Sequence, residues 1–323
     1  MISIAMATYN GELFIREQLD SILTQTLSDW ELIVCDDGST DNTLSILQEY
    51  ANNDSRIKIY QNETNLGFKR NFEKAIGLCS GEYIALCDQD DIWYPNHLEI
   101  LLNLIGNNSL SIGNSDIVDT NNTFLNKRMS DTDHIHFIPK DYRKLLYREF
   151  FYANPFQGAS MLLKKEFALK CIPIPDEVHY HDTWLSTCAC LDQGLVYTYT
   201  PITRYRQHGK NITINNHREK GVSRLDKYID YTSKIIKTIS NTHYSTTDRF
   251  AMAECLKKRF NKPCEDFNKI CSFLNNARKQ KLNLSDIKLL WKNMTYITTT
   301  HSKREFLRLW FLWSHMYPVK LNK

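Results

Sequence analysis

The sequence predicts an α/β protein in which a mixed, mainly parallel sheet is flanked by helices and followed by an α-helical C-terminal extension. Short apolar runs of strand length alternate with segments whose apolar residues recur every three or four positions, the pattern of parallel strands joined by crossover helices. From about Gly221 onward, glycines become rare and the helical patterns lengthen. The 323 residues therefore divide, by prediction, into a domain over 1–220 and a helical region over 221–323.

Each of the first four predicted strands ends at a polar turn that leads into a helical pattern. The predicted strands begin at Ile2, Trp30, Ile57 and Glu82, and the first three helical patterns carry Leu19 to Leu27, Leu44 to Tyr50, and Lys69 to Asn71. Later strands are predicted over 111–119, 156–163 and 195–199, and 120–140 is predicted to be a surface excursion. Within 156–163, Gly158 would let a substrate approach the backbone closely, although a plain core strand explains the segment equally well.

Composition and cysteine usage indicate a cytoplasmic globular protein. The 42% hydrophobic and 24% charged residues fit a soluble domain, and no apolar run approaches the roughly 20 residues of a spanning helix. The first residues begin a strand at once and lack the basic region of a secretory signal. Nine cysteines without a CxxC pair are expected to be reduced and mostly buried.

Basic residues are concentrated near the C-terminus. Residues 251–323 hold 15 Lys and Arg against 5 Asp and Glu, whereas 1–250 hold 25 against 32. The segment 302–317 is the sharpest helical pattern there, with aromatic residues on one face and basic residues near its start. Such a helix can lie on an anionic membrane surface, pack on the first domain or form a dimer. No zinc-finger, homeodomain or RNP-type pattern points to nucleic acid.

Three carboxylates, Asp88, Asp90 and Asp91, follow the fourth predicted strand within four positions. Acidic side chains this close repel one another unless a cation or strong donors neutralise them. Strand ends in open α/β sheets are also where ligands bind. The stretch therefore predicts a divalent metal site that presents a phosphate-bearing substrate; a solvated acidic turn is the alternative.

The other strand ends carry polar groups, and they exclude a dinucleotide-binding domain. No GxGxxG follows the first strand, and no Walker glycine–lysine loop occurs. A carboxylate such as Asp37 can instead accept a hydrogen bond from a base N–H, and Arg70 can pair with phosphate.

Four motifs together resemble family 2 glycosyltransferases with a GT-A, Rossmann-like fold. They are Ala7-Thr8-Tyr9-Asn10, Cys35-Asp36-Asp37-Gly38-Ser39-Thr40-Asp41, Asn65-Leu66-Gly67 and Cys87-Asp88-Gln89-Asp90-Asp91. Their order and spacing are typical of the family over about the first 210 residues, and the acidic motif is most similar to that of bacterial rhamnosyltransferases. The resemblance implies a nucleotide-sugar site made by Thr8, Tyr9, Asn10, Asp37, Arg70, Asp88 and Gln89. It also implies a metal, Mn or Mg, at Asp88 and Asp90, with Asp37 against the base.

The cluster His179-Tyr180-His181-Asp182 has three interpretations. A zinc site lacks a further spaced ligand set. Asp182 could cap a helix without any chemistry. The third interpretation makes Asp182 the general base that deprotonates the acceptor hydroxyl. The resembling family commonly has an acidic pair here, and the rhamnosyltransferase-like subgroup also shows His-Asp; His181 could orient or polarise the base.

His208 lies in a loop flanked by glycine and lysine, which suits metal or diphosphate contact better than core packing. A solvated loop is the alternative. The resemblance implies that this histidine is a metal ligand, and that the loop closes over the donor. The QxxRW motif of processive synthases is absent, so transfer of one or a few sugars is expected.

The function predicted from these residues and the resemblance is inverting transfer of a sugar from a nucleotide-sugar donor. The first choice of donor is dTDP-L-rhamnose, followed by UDP-hexoses. The acceptor is expected to be a lipid-linked glycan or surface polysaccharide of the O-antigen or capsule type, at the inner face of the bacterial plasma membrane. Two alternatives remain at this point: a metal-dependent phosphoester hydrolase, and a non-catalytic scaffold that binds nucleotide sugars. Homo-oligomerisation is left open.

Overall fold

The computed structural model describes residues 1–131, 141–151, 154, 156–209, 211, 246–260, 264–279 and 283–293. The chain divides into two compact units. The first comprises Met1–His136, Pro155–Ile174 and Tyr180–Asn211, and the second comprises Phe137–Asn154, Pro175–His179 and Ile212–Lys323. The predicted division at residues 220 and 221 lies outside the described residues and stays a prediction.

In the described part of the first unit, nine strands form one mixed sheet, as the fold class predicted. The strands are β1 Ile2–Thr8, β2 Trp30–Asp36, β3 Ile57–Gln61, β4 Tyr83–Asp88, β5 Ile92–Trp93, β6 Leu110–Val118, β7 Phe124–Arg128, β8 Met161–Lys164 and β9 Leu195–Arg206. Their order is β3-β2-β1-β4-β8-β6-β9-β5, with β7 beside β6.

The helices of the first unit connect these strands. They are α1 Ile15–Leu23, α2 Thr43–Asn53, α3 Phe68–Leu78, α4 His97–Ile105, α6 Lys165–Cys171 and α7 His181–Leu191. Apolar side chains of α1, α2 and α4 pack with those of β1, β2 and β4 in one buried core. Burial of these side chains, rather than helix propensity, supplies most of the stability of such short helices.

The strand pairing brings the ends of β1, β2 and β4 to one edge of the sheet. These three strands run parallel, with Ala7 opposite both Cys35 and Asp88. The strand β8 is antiparallel to both β4 and β6, and β9 is parallel to β6. Because parallel neighbours end on the same side, the polar residues that follow β1, β2 and β4 are close in space.

The structure corrects three predicted elements. The first helix ends at Leu23, so Leu27 lies beyond it; there the chain turns so that the Thr26 N–H donates to the Pro95 carbonyl. Residues 158–160 form a 3₁₀ turn, and only 161–164 form a strand. The segment 120–140 contains the strand β7, which was not predicted; its five residues are all exposed, as expected for the predicted surface path.

In the second unit, the described helices are α5 Leu145–Phe151, α8 Thr246–Arg259, α9 Glu265–Arg278 and α10 Leu284–Lys292. Asp266 joins α9 to the start of α5, since it accepts hydrogen bonds of 2.7 Å from both Lys144 Nζ and Tyr147 Oη. The predicted amphipathic helix over 302–317 lies outside the described residues. No helix in the described part of the chain is long and apolar enough to cross a membrane.

Candidate active site

The acidic stretch after β4 is held by hydrogen bonds from a buried arginine, to which the sequence motifs gave no role. Arg206, fully buried at the end of β9, donates from Nε to the main-chain oxygen of Asp90 at 3.0 Å and from its backbone N–H to Asp91 Oδ1 at 3.0 Å. Its Nη1 donates to the Thr120 carbonyl at 2.8 Å. Five N–H donors on a planar, permanently charged group suit it to hold several acceptors together.

Asp90 and His208, which were both predicted to be metal ligands, lie in direct contact. His208 Nε2 lies 2.7 Å from Asp90 Oδ2, and its ring stacks on that of Phe14. Asn211 closes the loop that carries the histidine: its Nδ2 donates to the Arg206 carbonyl at 2.9 Å, and its Oδ1 accepts the His208 N–H.

The carboxylates of this cluster act on one another. Burial, followed by the charges of Asp90 and Asp182, raises the pKa of Asp88 to about 7. Burial and the charges of Asp90 and Asp88 raise the pKa of Asp91 well above its usual value. Asp182 is thus close enough to Asp88 to disfavour its ionisation. The charge of the predicted base therefore acts on one of the predicted metal ligands, Asp88.

The residues present fit a divalent cation. Oxygen and imidazole donors such as Asp88, Asp90 and His208 suit a metal such as Mn²⁺, and a cation would offset the negative charges of Asp90 and Asp182 that contribute to the raised pKa of Asp88. Two or three protein ligands leave coordination positions for the phosphate oxygens of a substrate. No group of three or more His, Cys, Asp and Glu is already arranged around a cation position within the described residues.

Tyr9 and Gln89 fasten the turn after β1 to the acidic stretch. The Tyr9 N–H donates to Gln89 Oε1 at 2.9 Å, and Gln89 Nε2 donates to the Tyr9 carbonyl at 3.0 Å. Gly11 makes room for this amide, because a Cβ there would lie 2.3 Å from Gln89 Oε1. The turn after β1 and the acidic stretch are therefore joined directly. Residues of both were predicted to form one donor site, which requires that they lie side by side.

Thr8 and Asn10 bind the polar turn after β2. Thr8 Oγ1 donates to Asp36 Oδ2 at 2.9 Å, and Asn10 Oδ1 accepts the Thr40 N–H at 2.8 Å. Asn10 reaches this position with a φ of 48°, a left-handed conformation that asparagine tolerates. Both residues shape the turns at the sheet edge, and direct contact with a nucleotide sugar stays a prediction.

Asp37 has internal partners for most of its acceptor capacity. Its carboxylate, only 3% exposed, accepts three hydrogen bonds of 2.7 to 2.8 Å. The donors are Asn62 Nδ2 and the backbone N–H groups of Leu66 and Gly67. A carboxylate offers about four acceptor positions, so one is left for a base N–H. Asp37 therefore also anchors the Asn65-Leu66-Gly67 turn, which is a separate motif in the sequence.

Arg70 is paired within its own helix. Its Nη1 lies 2.6 Å from Glu73 Oε1 and 2.9 Å from the Ile174 carbonyl. It borders a cavity of about 510 Å³ together with Leu66, Lys74 and Pro173. Phosphate binding by Arg70 stays a prediction, and a phosphate would have to share this guanidinium with Glu73.

Asp182 lies in the first turn of α7, one residue after the helix begins, and the N-cap position belongs to Tyr180. The capping alternative thus assigned the wrong position. His181 packs in the protein interior: its ring stacks on Phe72 with centroids 4.3 Å apart, and burial lowers its pKa to about 4. Neither ring nitrogen has a hydrogen-bond partner among the described residues.

The space above Gly158 is taken by His181 rather than left open to a substrate. A Cβ on Gly158 would lie 2.5 Å from His181 Nε2. The close approach that this glycine permits is therefore an internal packing contact.

The sequence matches a known protein family and several of its members. The model of the family described as Glycosyl transferase family 2 matches residues 3–172. A glucosyltransferase of Escherichia coli, WfgD, described as UDP-Glc:alpha-D-GlcNAc-diphosphoundecaprenol beta-1,3-glucosyltransferase, is 41% identical over 123 residues, which are 38% of this chain and 48% of that protein. The dTDP-rhamnosyl transferase RfbG of Shigella flexneri is 28% identical over 262 residues, 74% of this chain and 86% of that protein.

Solved structures share the fold. The TarS fragment 1–349 of S. aureus in complex with UDP superposes with a TM-score of 0.51 at 19% identity, covering 86% of this chain and 82% of that one. The mannosyltransferase PcManGT of Pyrobaculum calidifontis, in complex with GDP-Man and Mn²⁺, gives 0.52 at 16% identity, covering 99% and 81%. The matched region spans 33% to 48% of the first curated relatives.

Proposed function

We propose that this chain, which belongs to glycosyl transferase family 2, transfers a sugar from a nucleotide-sugar donor to a hydroxyl of a glycan acceptor. The observation that carries the proposal is the contact of Asp90 Oδ2 with His208 Nε2 at 2.7 Å beside Asp88, a carboxyl group on which the charge of Asp182 also acts. One carboxylate is then available as a base beside others that can hold a cation and a diphosphate. Direct displacement requires a base on one face of the sugar and a group that stabilises the leaving diphosphate on the opposite face.

In this mechanism Asp182 accepts the proton of the attacking acceptor hydroxyl. Asp88, Asp90 and His208 would hold a divalent cation, Mn²⁺ or Mg²⁺, which supplies positive charge to the leaving nucleoside diphosphate. Tyr9 and Gln89 keep the two loops around the donor together. Attack on the face opposite the leaving group inverts the anomeric configuration.

The donor is proposed to be dTDP-L-rhamnose or a UDP-hexose. Support for the first comes from the rhamnosyl transferase relative, and support for the second from the glucosyltransferase relative. The described residues do not separate the two, since Asp37 has one acceptor position left and both thymine and uracil present an N3–H. A lipid-linked or polysaccharide acceptor is proposed because the E. coli relative acts on a diphosphoundecaprenol-linked saccharide.

A donor panel tests this function. Thermal shifts are measured with dTDP-, UDP- and GDP-sugars, each with Mn²⁺, Mg²⁺ or chelator, and the stabilising donors are then offered glycan acceptors. We expect a metal-dependent shift with one donor class and a glycoside product of inverted configuration. Release of phosphate without any acceptor would favour the phosphoester hydrolase, and donor binding without turnover in the presence of lipid-linked acceptors would favour the scaffold. Undiminished transfer in chelator would contradict the metal.

Contact with a membrane surface is proposed for the basic C-terminal region, because residues 251–323 carry a threefold excess of basic over acidic residues. Removal of residues 302–323 is expected to reduce sedimentation with anionic vesicles. Vesicles of neutral lipid are the control, and the full chain should bind them less than anionic ones. Equal sedimentation of both forms of the protein would contradict this anchor.

A further inference from the structure

Phe14, immediately before α1, contacts the last residue of β9 and a residue of the loop that follows. Its ring stacks on the imidazole of His208, with centroids 4.8 Å apart and planes inclined by 25°. The guanidinium carbon of Arg206 lies 4.9 Å from the centroid of the same ring. A phenyl ring is rigid and apolar, so it can orient an imidazole without competing for either ring nitrogen.

The turn that carries Phe14 is also attached to the acidic stretch. Its first residue, Tyr9, exchanges two hydrogen bonds with Gln89, which lies between Asp88 and Asp90. The Phe14 N–H closes the turn onto the Gly11 carbonyl at 3.0 Å. One short turn therefore contacts His208 and Gln89, the residue before Asp90, although Asp90 and His208 are 118 residues apart in the chain.

The backbone around His208 is held by hydrogen bonds to which Phe14 contributes no atom. Asn211 binds the Arg206 carbonyl and the His208 N–H, and Arg206 in turn binds the Asp90 main-chain oxygen. With the backbone fixed, the remaining freedom of His208 is rotation of its side chain. The ring of Phe14 restricts that rotation, since an imidazole turned away from Asp90 loses the stacking contact.

We infer that Phe14 is a positioning residue, whose ring holds the imidazole of His208 so that Nε2 faces Asp90. The inference rests on the proposed function in that His208 and Asp90 are there the ligands of a cation. Residues that orient metal ligands commonly change metal affinity by about 10- to 100-fold when replaced. Phe14 supplies orientation by stacking, where a carboxylate or carbonyl more often supplies it by a hydrogen bond.

Chemical labelling of His208 tests the positioning directly. The full chain is treated with diethyl pyrocarbonate, and the modified histidines are quantified by peptide mass spectrometry. Phe14→Leu is expected to raise the labelling rate of His208 severalfold, and Phe14→Tyr to leave it unchanged because the ring is kept. Leu13→Ala is the matched control, since Leu13 is 71% exposed. Equal labelling of His208 in wild type and Phe14→Leu would overturn the inference.

The buried residues His97 and His181 report on folding in the same experiment and should stay slowly labelled in every variant. If they react faster in Phe14→Leu, the substitution has unfolded the chain. Phe14→Met is then used instead, because the long, flexible methionine side chain can fill the space of the phenyl group but has no ring to stack on His208. A slowly reacting His208 in a folded Phe14→Met variant then overturns the inference, and a fast one supports it.

Mn²⁺ binding separates this inference from the proposed function. Dissociation constants are measured by calorimetry with UDP present, and we expect about 10- to 100-fold weaker binding in Phe14→Leu with wild-type affinity in Phe14→Tyr. Equal affinity in wild type and Phe14→Leu overturns the positioning role. If wild type binds no Mn²⁺ while Phe14→Leu exposes His208, the metal role in the proposed function fails and the positioning stands.

Discussion

At the scale of single residues, the neighbouring Asp36 and Asp37 are both buried but accept hydrogen bonds from different parts of the chain. Asp36 is fully buried and binds the hydroxyl groups of Thr8 and Ser39. Asp37 holds the turn at Gly67 and keeps one acceptor position. Burial with internal donors makes such carboxylates part of the scaffold as much as of the site, so replacing either would combine a loss of folding with any loss of binding.

Asp182→Asn tests the proposed base with less of this ambiguity, because Asp182 is only partly buried at the start of α7. The amide keeps the shape of the side chain and cannot accept the proton. Transfer is expected to fall by about 10²- to 10⁴-fold with donor affinity nearly unchanged. Transfer rates and donor dissociation constants are measured together, and a rate close to wild type would refute the base role.

Gly11→Ala tests the joint between the turn after β1 and the acidic stretch. The new Cβ would lie 2.3 Å from Gln89 Oε1, so Gln89 must move and give up its hydrogen bonds to Tyr9. We expect weaker donor binding, measured as a higher donor KM. Gly77→Ala is the matched control: no atom lies within 4 Å of its Cβ position in α3, and helix propensity predicts about 0.5–1 kcal/mol of added stability.

At the scale of elements, α7 is the helix that carries Asp182 and is also one of the most buried. Nine of its eleven residues are buried, and its apolar side chains do not follow one clean stripe. Trp184, fully buried, donates from Nε1 to the Cys171 carbonyl at the end of α6 at 2.7 Å. This bond fixes the helix to its neighbour and thereby the place of Asp182, the proposed base.

Trp184→Phe should destabilise the chain by about 2–3 kcal/mol, because it leaves a small cavity and removes the donor to a buried carbonyl. Chemical denaturation measures the change. Trp291→Phe serves as the comparison, since Trp291 is 39% exposed and surface changes are usually within about 0.5 kcal/mol. Equal losses in the two variants would show that α7 is not held by Trp184.

The elements missed by sequence inspection share a cause. The strand β7 has no buried residue and hence no apolar alternation to detect. Leu27 continued the helical spacing, but the contact between Thr26 and Pro95 pulls the chain out of the helix. Periodicity reports burial along a single segment, and it is silent where a partner far along the chain decides the path.

At the scale of the whole molecule, buried histidines make stability depend on pH. His97 stacks on Trp93 at 3.8 Å between ring centroids, and its Nδ1 lies 3.0 Å from the Ile202 carbonyl. Burial lowers its pKa to about 3 from an ordinary 6.5. Below pH 6.5 the unfolded chain gains a proton that the folded chain does not, so this histidine lowers the stability as the pH falls from 6.5 towards 3.

His97→Asn should remove this dependence while its amide can still reach the Ile202 carbonyl. The difference in unfolding free energy between wild type and variant is expected to shift by about 2 kcal/mol in favour of the variant from pH 7.5 to pH 5. Urea denaturation at the two pH values measures it. Taking this difference also cancels the opposite contribution of Asp88, whose raised pKa stabilises the folded chain on acidification. A constant difference would contradict the prediction.

The sequence by itself determined the fold class, where the first strands lie along the chain and the position of the acidic motif, because apolar periodicity and turn residues are properties of adjacent positions. Only the tertiary structure decided which partners those residues have. Arg206 under Asp90, Phe14 against His208 and His181 over Gly158 join segments from 23 to more than 190 residues apart. Such pairs depend on strand order and register in the sheet, which no local pattern contains.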